Sequence, residues 1–106
     1  MRSRPAVNPT AGGDRDQRPT SFEVYQNYPN PFNPSTVIEF ALPKQSTVEL
    51  RVYNVLGQEV ATLAHGTYAA GTHTVNFKAD NLAGGLYFYR LQAGSYVDVK
   101  KMLLIK

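Results

Sequence analysis

The side chains of this sequence that could take part in acid–base chemistry are two histidines and eight carboxylates. His65 lies among small residues and His73 in an alternating apolar pattern, so we expect a solvated His65 and a space-filling His73. The glutamates occupy polar positions of four separate strand-like segments, at Glu23, Glu39, Glu49 and Glu59. No two are placed as the paired carboxyl groups of a glycosidase must be, and no phosphate-binding loop or nucleophile elbow is present. We therefore expect no catalytic residue and no enzymatic activity.

Few side chains of this sequence could bind a metal ion or a cofactor. The sequence has no cysteine, which excludes disulfides and thiolate metal sites. The Asp80-Asn81 pair offers oxygen ligands, but a turn is the simpler interpretation of such a dipeptide. We expect neither a metal site nor a cofactor.

Charge and hydropathy argue against two classes of partner. The formal net charge is only +3, and the Lys and Arg residues are scattered until the last few positions, unlike the basic, aromatic face of a nucleic-acid binder. No segment approaches the roughly 20 apolar residues of a membrane-spanning helix, and the N-terminus lacks the apolar core of a secretory signal. We expect no nucleic-acid partner and no transmembrane segment.

The composition divides the chain into a tail and a folding unit. Residues 1–20 contain four Arg, three Pro and two Gly with almost no bulky apolar side chain, a composition typical of a disordered linker. Residues 21–106 hold all five Phe and all seven Tyr. Such a linker-like start fits the end of a longer protein, whose upstream part would be needed for any export signal.

Alternation of apolar and polar residues dominates the folding unit and predicts strands. The predicted strands are 22–26, 36–42, 47–53, 59–63, 72–79, 86–92 and 96–106. Residues 64–71 are predicted as a loop, and 80–85 as a connection with room for one helical turn. Seven short strands separated by turn signals indicate an all-β, seven-stranded antiparallel immunoglobulin-like β-sandwich with a disordered N-terminal tail.

A corner rich in proline and asparagine, residues 26–34, precedes the second strand. Each proline fixes its own φ and pushes the residue before it toward extended backbone, and asparagine side chains can replace secondary structure in turns. We expect a rigid, non-helical corner that Tyr28 and Phe32 pin to the body of the domain.

Two further segments go beyond a generic sandwich. In 85–91, inward-facing Tyr87, Tyr89 and Leu91 are predicted, with one tyrosine hydroxyl reaching the backbone as in a tyrosine corner. In 100–106, lysines frame an apolar run, which is typical of a strand whose ends are blunted by charge. An exposed edge there could bind a receptor through backbone hydrogen bonds and alternate side chains.

Together, the segments 27–34, 52–60, 85–91 and 100–106 resemble the C-terminal sorting domain of the type IX secretion system of Bacteroidota and related phyla. The resemblance implies a non-catalytic address label at the end of secreted cargo proteins. The domain would fold in the periplasm, be read by the outer-membrane translocon, and be cut off at the cell surface by a sortase, in the linker near Thr20-Ser21 or earlier. The implied partners are the translocon, the sortase and the cargo upstream in the same polypeptide, and we expect the domain itself to be a monomer.

The residues that match the sorting motifs are the candidate recognition residues. They are Asn30, Pro31, Phe32, Asn33, Pro34, Gly85, Tyr87, Tyr89, Lys100, Lys101 and Lys106.

Two alternative functions share part of this pattern. The immunoglobulin-like domain of the flagellar hook-capping protein has the same corner and would be a structural or assembly module, whereas a motif that ends the chain at Lys106 favours a sorting label. A carbohydrate-binding module would use exposed aromatics on one sheet face. Tyr53, Phe88 and Tyr96 could supply them, although tryptophan is absent.

Overall fold

The computed structural model describes residues 19–106. Most of the predicted linker therefore lies outside the described residues, and the domain boundary near residue 20 stays a prediction. The described chain forms seven strands and no helix. They are β1 (Glu23–Val24), β2 (Ser35–Leu42), β3 (Ser46–Tyr53), β4 (Glu59–Tyr68), β5 (Gly71–Lys78), β6 (Gly85–Ala93) and β7 (Tyr96–Leu104).

The strands form two antiparallel sheets, which confirms the all-β, immunoglobulin-like sandwich. One sheet has the order β1-β2-β5 and the other β4-β3-β6-β7. In constant-type immunoglobulin domains the fourth strand belongs to the sheet of the first. Here β4 stays beside β3, because Asn54–Gln58 closes a tight hairpin in which the Asn54 N–H donates to the Gln58 carbonyl (2.9 Å) and Gly57 takes φ +81°.

The core lies between the two sheets and comes from the alternating positions that the sequence predicts. Ile38, Phe40 and Leu42 of β2 are fully buried, as are the inward residues of β3 and β6, Val48, Leu50, Val52, Tyr89 and Leu91. Val75, Phe77 and His73 share the inward side of β5, also as predicted. The His73 ring stacks on Phe40 (5.4 Å between centroids) and its Nε2 lies 2.8 Å from the Ala69 carbonyl. His73 therefore fills space in the fold.

Two predicted boundaries are wrong, the end of β4 and the length of β1. The segment 64–71 is not a loop, because β4 continues to Tyr68 and pairs with β3 in register, with Glu49 opposite His65 and Thr47 opposite Thr67. Pairing with a neighbouring strand overrides the low strand propensity of small residues. At the other end, β1 is only two residues long, since the chain turns inward at Asn27.

Two further predictions differ from the structure, the helical turn before β6 and the end of β7. Residues 80–84 contain no helical turn; the Leu82 N–H bonds to the Ala79 carbonyl at 3.2 Å. β7 ends at Leu104 rather than at Lys106.

Candidate functional site

The corner of residues 26–34 docks on the outer edge of β7. The Phe32 N–H donates to the Leu103 carbonyl and the Ile105 N–H donates to the Phe32 carbonyl, each at 2.9 Å. The Phe32 ring is buried and lies 6.0 Å from the Phe77 ring. Two distant motifs of the sequence are therefore in direct contact.

Two side chains of the corner also form hydrogen bonds with the backbone at this edge of β7. The Leu103 N–H donates to Asn30 Oδ1 at 3.0 Å, and Gln26 Nε2 donates to the Lys101 carbonyl at 2.8 Å. The outward backbone groups of Leu103 are thus both occupied. The expectation that a receptor adds a strand to an open edge at the terminus is wrong for residues 101–105, because the corner already pairs there.

A buried polar network holds the corner from below. The Tyr89 hydroxyl donates to the Tyr25 carbonyl and accepts from the Asn27 N–H, both at 2.8 Å. Asn27 Nδ2 donates to Thr36 Oγ1 at 3.0 Å and to the Pro29 carbonyl at 3.1 Å. Burial raises the pKa of Tyr89 to about 12, so the hydroxyl keeps its proton at neutral pH. The predicted contact between a tyrosine hydroxyl and the backbone is confirmed.

The glycine-tyrosine motif lies beside the carboxyl end of β7. Gly85 pairs with Leu104 in register and has φ +147°, a conformation that side chains rarely adopt. The Tyr87 hydroxyl donates to the Ala83 carbonyl at 2.6 Å. Tyr87, Tyr89 and Leu91 all face the core, as predicted.

The lysines of the last motif differ in their surroundings. Lys106 Nζ donates to the Asp80 carbonyl at 2.8 Å, across the end of the sandwich. Lys100 is half-buried opposite Tyr89, whereas Lys101 is exposed opposite Phe88. Lys101 is thus the lysine that the outer sheet face presents.

The other corner residues do not act alike. The Pro34 carbonyl accepts from the Ala79 N–H at 2.9 Å, whereas Pro31 and Asn33 are exposed. Tyr28 leaves 81% of its surface exposed, so the prediction that it packs on the body is wrong. Its backbone supplies the attachment instead, through an antiparallel bridge to Val37.

The site residues predicted from the sequence did not include Gln26, Asn27 and Thr36, whose side chains hold the corner in place. Thr36 offered a signal, because it shares the inward parity of Ile38 and Phe40 although it is polar. A buried polar side chain requires a hydrogen-bond partner, and Asn27 is that partner. Gln26 offered no comparable signal.

The remaining chemical options find no support in residues 19–106. No group of three His, Asp or Glu that could hold a metal ion occurs there, and no helix there is long and apolar enough to span a membrane. Tyr53 and Phe88 are neighbours on the outer face, but Tyr96 stacks on Phe22 at the opposite, inner side (5.5 Å). The three aromatics of a carbohydrate platform therefore do not share one face.

The register brings all four motifs to one end of the sandwich. Tyr53 pairs with Phe88, Gly85 pairs with Leu104, and Phe32 of the corner bonds to the backbone of Leu103 and Ile105. The fold and this arrangement define an immunoglobulin-like module whose distinctive segments meet around the end of its last strand.

The comparison with protein-family models identifies the module. The model of the secretion system C-terminal sorting domain matches residues 26–106, and the chain belongs to that family. The domain is thus a C-terminal sorting signal of type IX secretion, recognised by the secretion system and serving export toward the cell surface. The family has no known catalytic activity. No curated protein matches the chain significantly.

Proposed function

We propose that this chain is a non-catalytic address label that takes an attached cargo protein through the type IX translocon to the cell surface. The observation that carries the proposal is the family match over residues 26–106. The assembly of the four motifs at one end of the fold supports it, since a single receptor surface could contact all of them. In this proposal the cargo precedes the domain in the same polypeptide and the domain folds as a monomer in the periplasm during transit.

The second part of the proposal concerns release of the cargo. A surface sortase cuts the polypeptide near Thr20-Ser21 or earlier, and the domain is discarded. Thr20 and Ser21 are exposed and precede the first strand, so a protease reaches this segment without unfolding the sandwich. Exposed segments outside regular structure are the usual sites of proteolysis.

A reporter fusion tests both parts. The whole chain, residues 1–106, is fused behind a periplasm-directed reporter in a host with the secretion system and in an isogenic host without its translocon. We expect surface-exposed, shortened reporter in the first host and full-length periplasmic reporter in the second. Equal periplasmic retention in both hosts would contradict the sorting proposal and favour a structural or assembly module. Surface display of uncleaved fusion would contradict the sortase step alone.

Deletion of residues 100–106 is not a clean test of the address. Met102 and Leu104 are buried in the core, and the backbone of Leu103 anchors the corner. Truncation would therefore unfold part of the domain. Substitution of the exposed Lys101 and Lys106 by Gln leaves the buried side chains of Met102 and Leu104 and the backbone bonds of Leu103 in place. It therefore tests recognition of the terminus more directly than the deletion does.

A further inference from the structure

The outer face of the four-stranded sheet has two halves of different chemistry. On β3 and β4 the charges neutralise one another: Arg51 lies 3.1 Å from the Glu49 carboxylate and 3.0 Å from that of Glu59. Glu49 also lies 3.4 Å from His65. This half is a network of paired, half-exposed charges and needs no partner.

The half formed by β6 and β7 is apolar and cationic. We call it the hairpin face, and its main outward residues are Leu86, Phe88, Arg90, Val99, Lys101 and Leu103. Among residues 19–106, neither of its two cations forms an ion pair with a carboxylate. Within the described residues, the Arg90 guanidinium donates only to Gln92 Oε1 (3.2 Å), while Asp98 lies on the opposite side of β7, beside Tyr96.

The apolar residues of the hairpin face form a continuous surface. Leu86 lies opposite Leu103, Arg90 opposite Val99, and Phe88 opposite Lys101. Val99 is 49% exposed, Leu103 40% and Leu86 38%. Solvated faces of antiparallel sheets usually carry polar residues at such positions, and apolar surface rimmed by polar groups marks interaction sites.

The chemistry of this face selects among occupants. A partner strand cannot add along 101–105, where the corner covers the edge, so a partner at that end of the face has to bind side chains. Two cations are fewer than the cluster of about 4–8 that attracts anionic membranes. A second copy could offer Glu23 and Glu39, which are exposed on the other sheet, but that contact joins unlike faces and would generate rings or open chains rather than a two-fold symmetric dimer.

We propose that the hairpin face docks on a protein component of the secretion machinery whose surface places carboxylates around an apolar centre, opposite Arg90 and Lys101. This inference rests on the proposed function and adds the surface used and the chemistry of its partner. Two strands about 4.8 Å apart with about four outward residues each cover a few hundred Å². That area is well below the ~800 Å² per partner of a stable interface. The contact is therefore transient, as a label that is later discarded requires.

The test combines charge reversal with a matched control. The variants Arg90→Glu and Lys101→Glu, singly and as a double variant, are compared with Lys44→Glu, which makes the same charge change as either single variant in the exposed turn between β2 and β3. The whole chain is titrated with detergent-solubilised outer membranes from the competent host and from the translocon-deficient host, at low and high salt. We expect the double variant to bind about tenfold more weakly at low salt and to lose most of the salt dependence. Lys44→Glu should bind as the wild type does.

Several outcomes would overturn the inference. They are unchanged binding and export of the double variant, wild-type binding that is the same with membranes of both hosts, and equal binding to vesicles with 30% phosphatidylglycerol. Self-association of the wild type that the double variant loses would assign the face to a second copy. Thermal unfolding checks that the variants remain folded, and Arg90→Gln, Lys101→Gln repeats the test without introducing repulsion. If the wild-type fusion itself is not exported, the proposed function fails; if it is exported and the double variant is too, only the docking surface fails.

Discussion

The Tyr89 hydroxyl accepts a hydrogen bond from the Asn27 N–H at 2.8 Å, across 62 positions of the sequence. The same hydroxyl donates to the Tyr25 carbonyl, so one side chain of β6 holds both ends of the segment that enters the corner. Because Asn27 is buried, water does not easily replace this contact. Tyr89 thus couples the glycine-tyrosine motif to the proline-asparagine corner.

Replacement of Tyr89 by Phe removes both bonds and leaves the Asn27 N–H without a partner. We expect a loss of about 1–3 kcal/mol in the free energy of unfolding, the usual cost of an unsatisfied buried group, measured by urea denaturation. Tyr87→Phe is the matched control, since among residues 19–106 its hydroxyl makes only the bond to the Ala83 carbonyl. Its loss should be smaller, about 0.5–1.5 kcal/mol. Equal stability of Tyr89→Phe and the wild type would contradict the coupling.

The raised pKa of Tyr89 predicts a loss of stability in alkali. The pKa in the folded state is about 12 and the ordinary value is 10.0. The folded state therefore holds this proton more tightly, so the contribution to stability is complete below pH 10 and is lost as the pH rises toward 12. Urea unfolding of the wild type and of Tyr89→Phe over this pH range measures the loss of stability. The difference between them should shrink with rising pH; a constant difference would show that Tyr89 does not titrate in this way. Tyr25 and Tyr96, whose pKa values burial also raises, contribute equally to both proteins.

Much of the fold follows from local patterns of the sequence. Alternation places Ile38, Phe40 and Leu42 inside because each strand buries one face, and alternation together with turn signals identifies seven strands. The length of β4 does not follow, because its second half depends on pairing with β3 and contains Ala64 and Gly66, which carry little strand propensity. Long-range pairing is a property of two segments and leaves no local pattern in either.

The candidate site was predictable only where a local pattern decides which side chains are buried. The burial of Tyr87 and Tyr89 follows from their parity on β6. The docking of Phe32 on Leu103 does not, since nothing local indicates which edge receives the corner. Tyr28 and Phe32 are both aromatic residues next to prolines, yet only Phe32 reaches the core. The backbone path that separates them depends on the contact with β7.

The contrast between these two aromatics is measurable. Phe32→Ala should lower the free energy of unfolding by about 3–5 kcal/mol, since a buried ring leaves a cavity. Tyr28→Ala should change it by less than about 0.5 kcal/mol, because substitutions at exposed sites rarely cost more. Both variants are compared in urea with the same wild-type preparation. A large loss for Tyr28→Ala would show that its ring packs on the body after all.

The two exposed asparagines of the corner offer the finest test of how the terminus is held. Asn30 Oδ1 accepts the outward N–H of Leu103, whereas Asn33 is exposed and makes no side-chain hydrogen bond within residues 19–106. Asn30→Ala should therefore speed hydrogen exchange of the Leu103 amide and destabilise the domain by about 0.5–1.5 kcal/mol. Asn33→Ala, the same change three positions away, should alter neither.

Exchange at Ile105 reports on the neighbouring bond to the Phe32 carbonyl. If Leu103 exchanges faster while Ile105 stays protected, Asn30 holds one residue; if both accelerate, Asn30 holds the whole contact between the corner and β7. Unchanged exchange at Leu103 would contradict the contact itself.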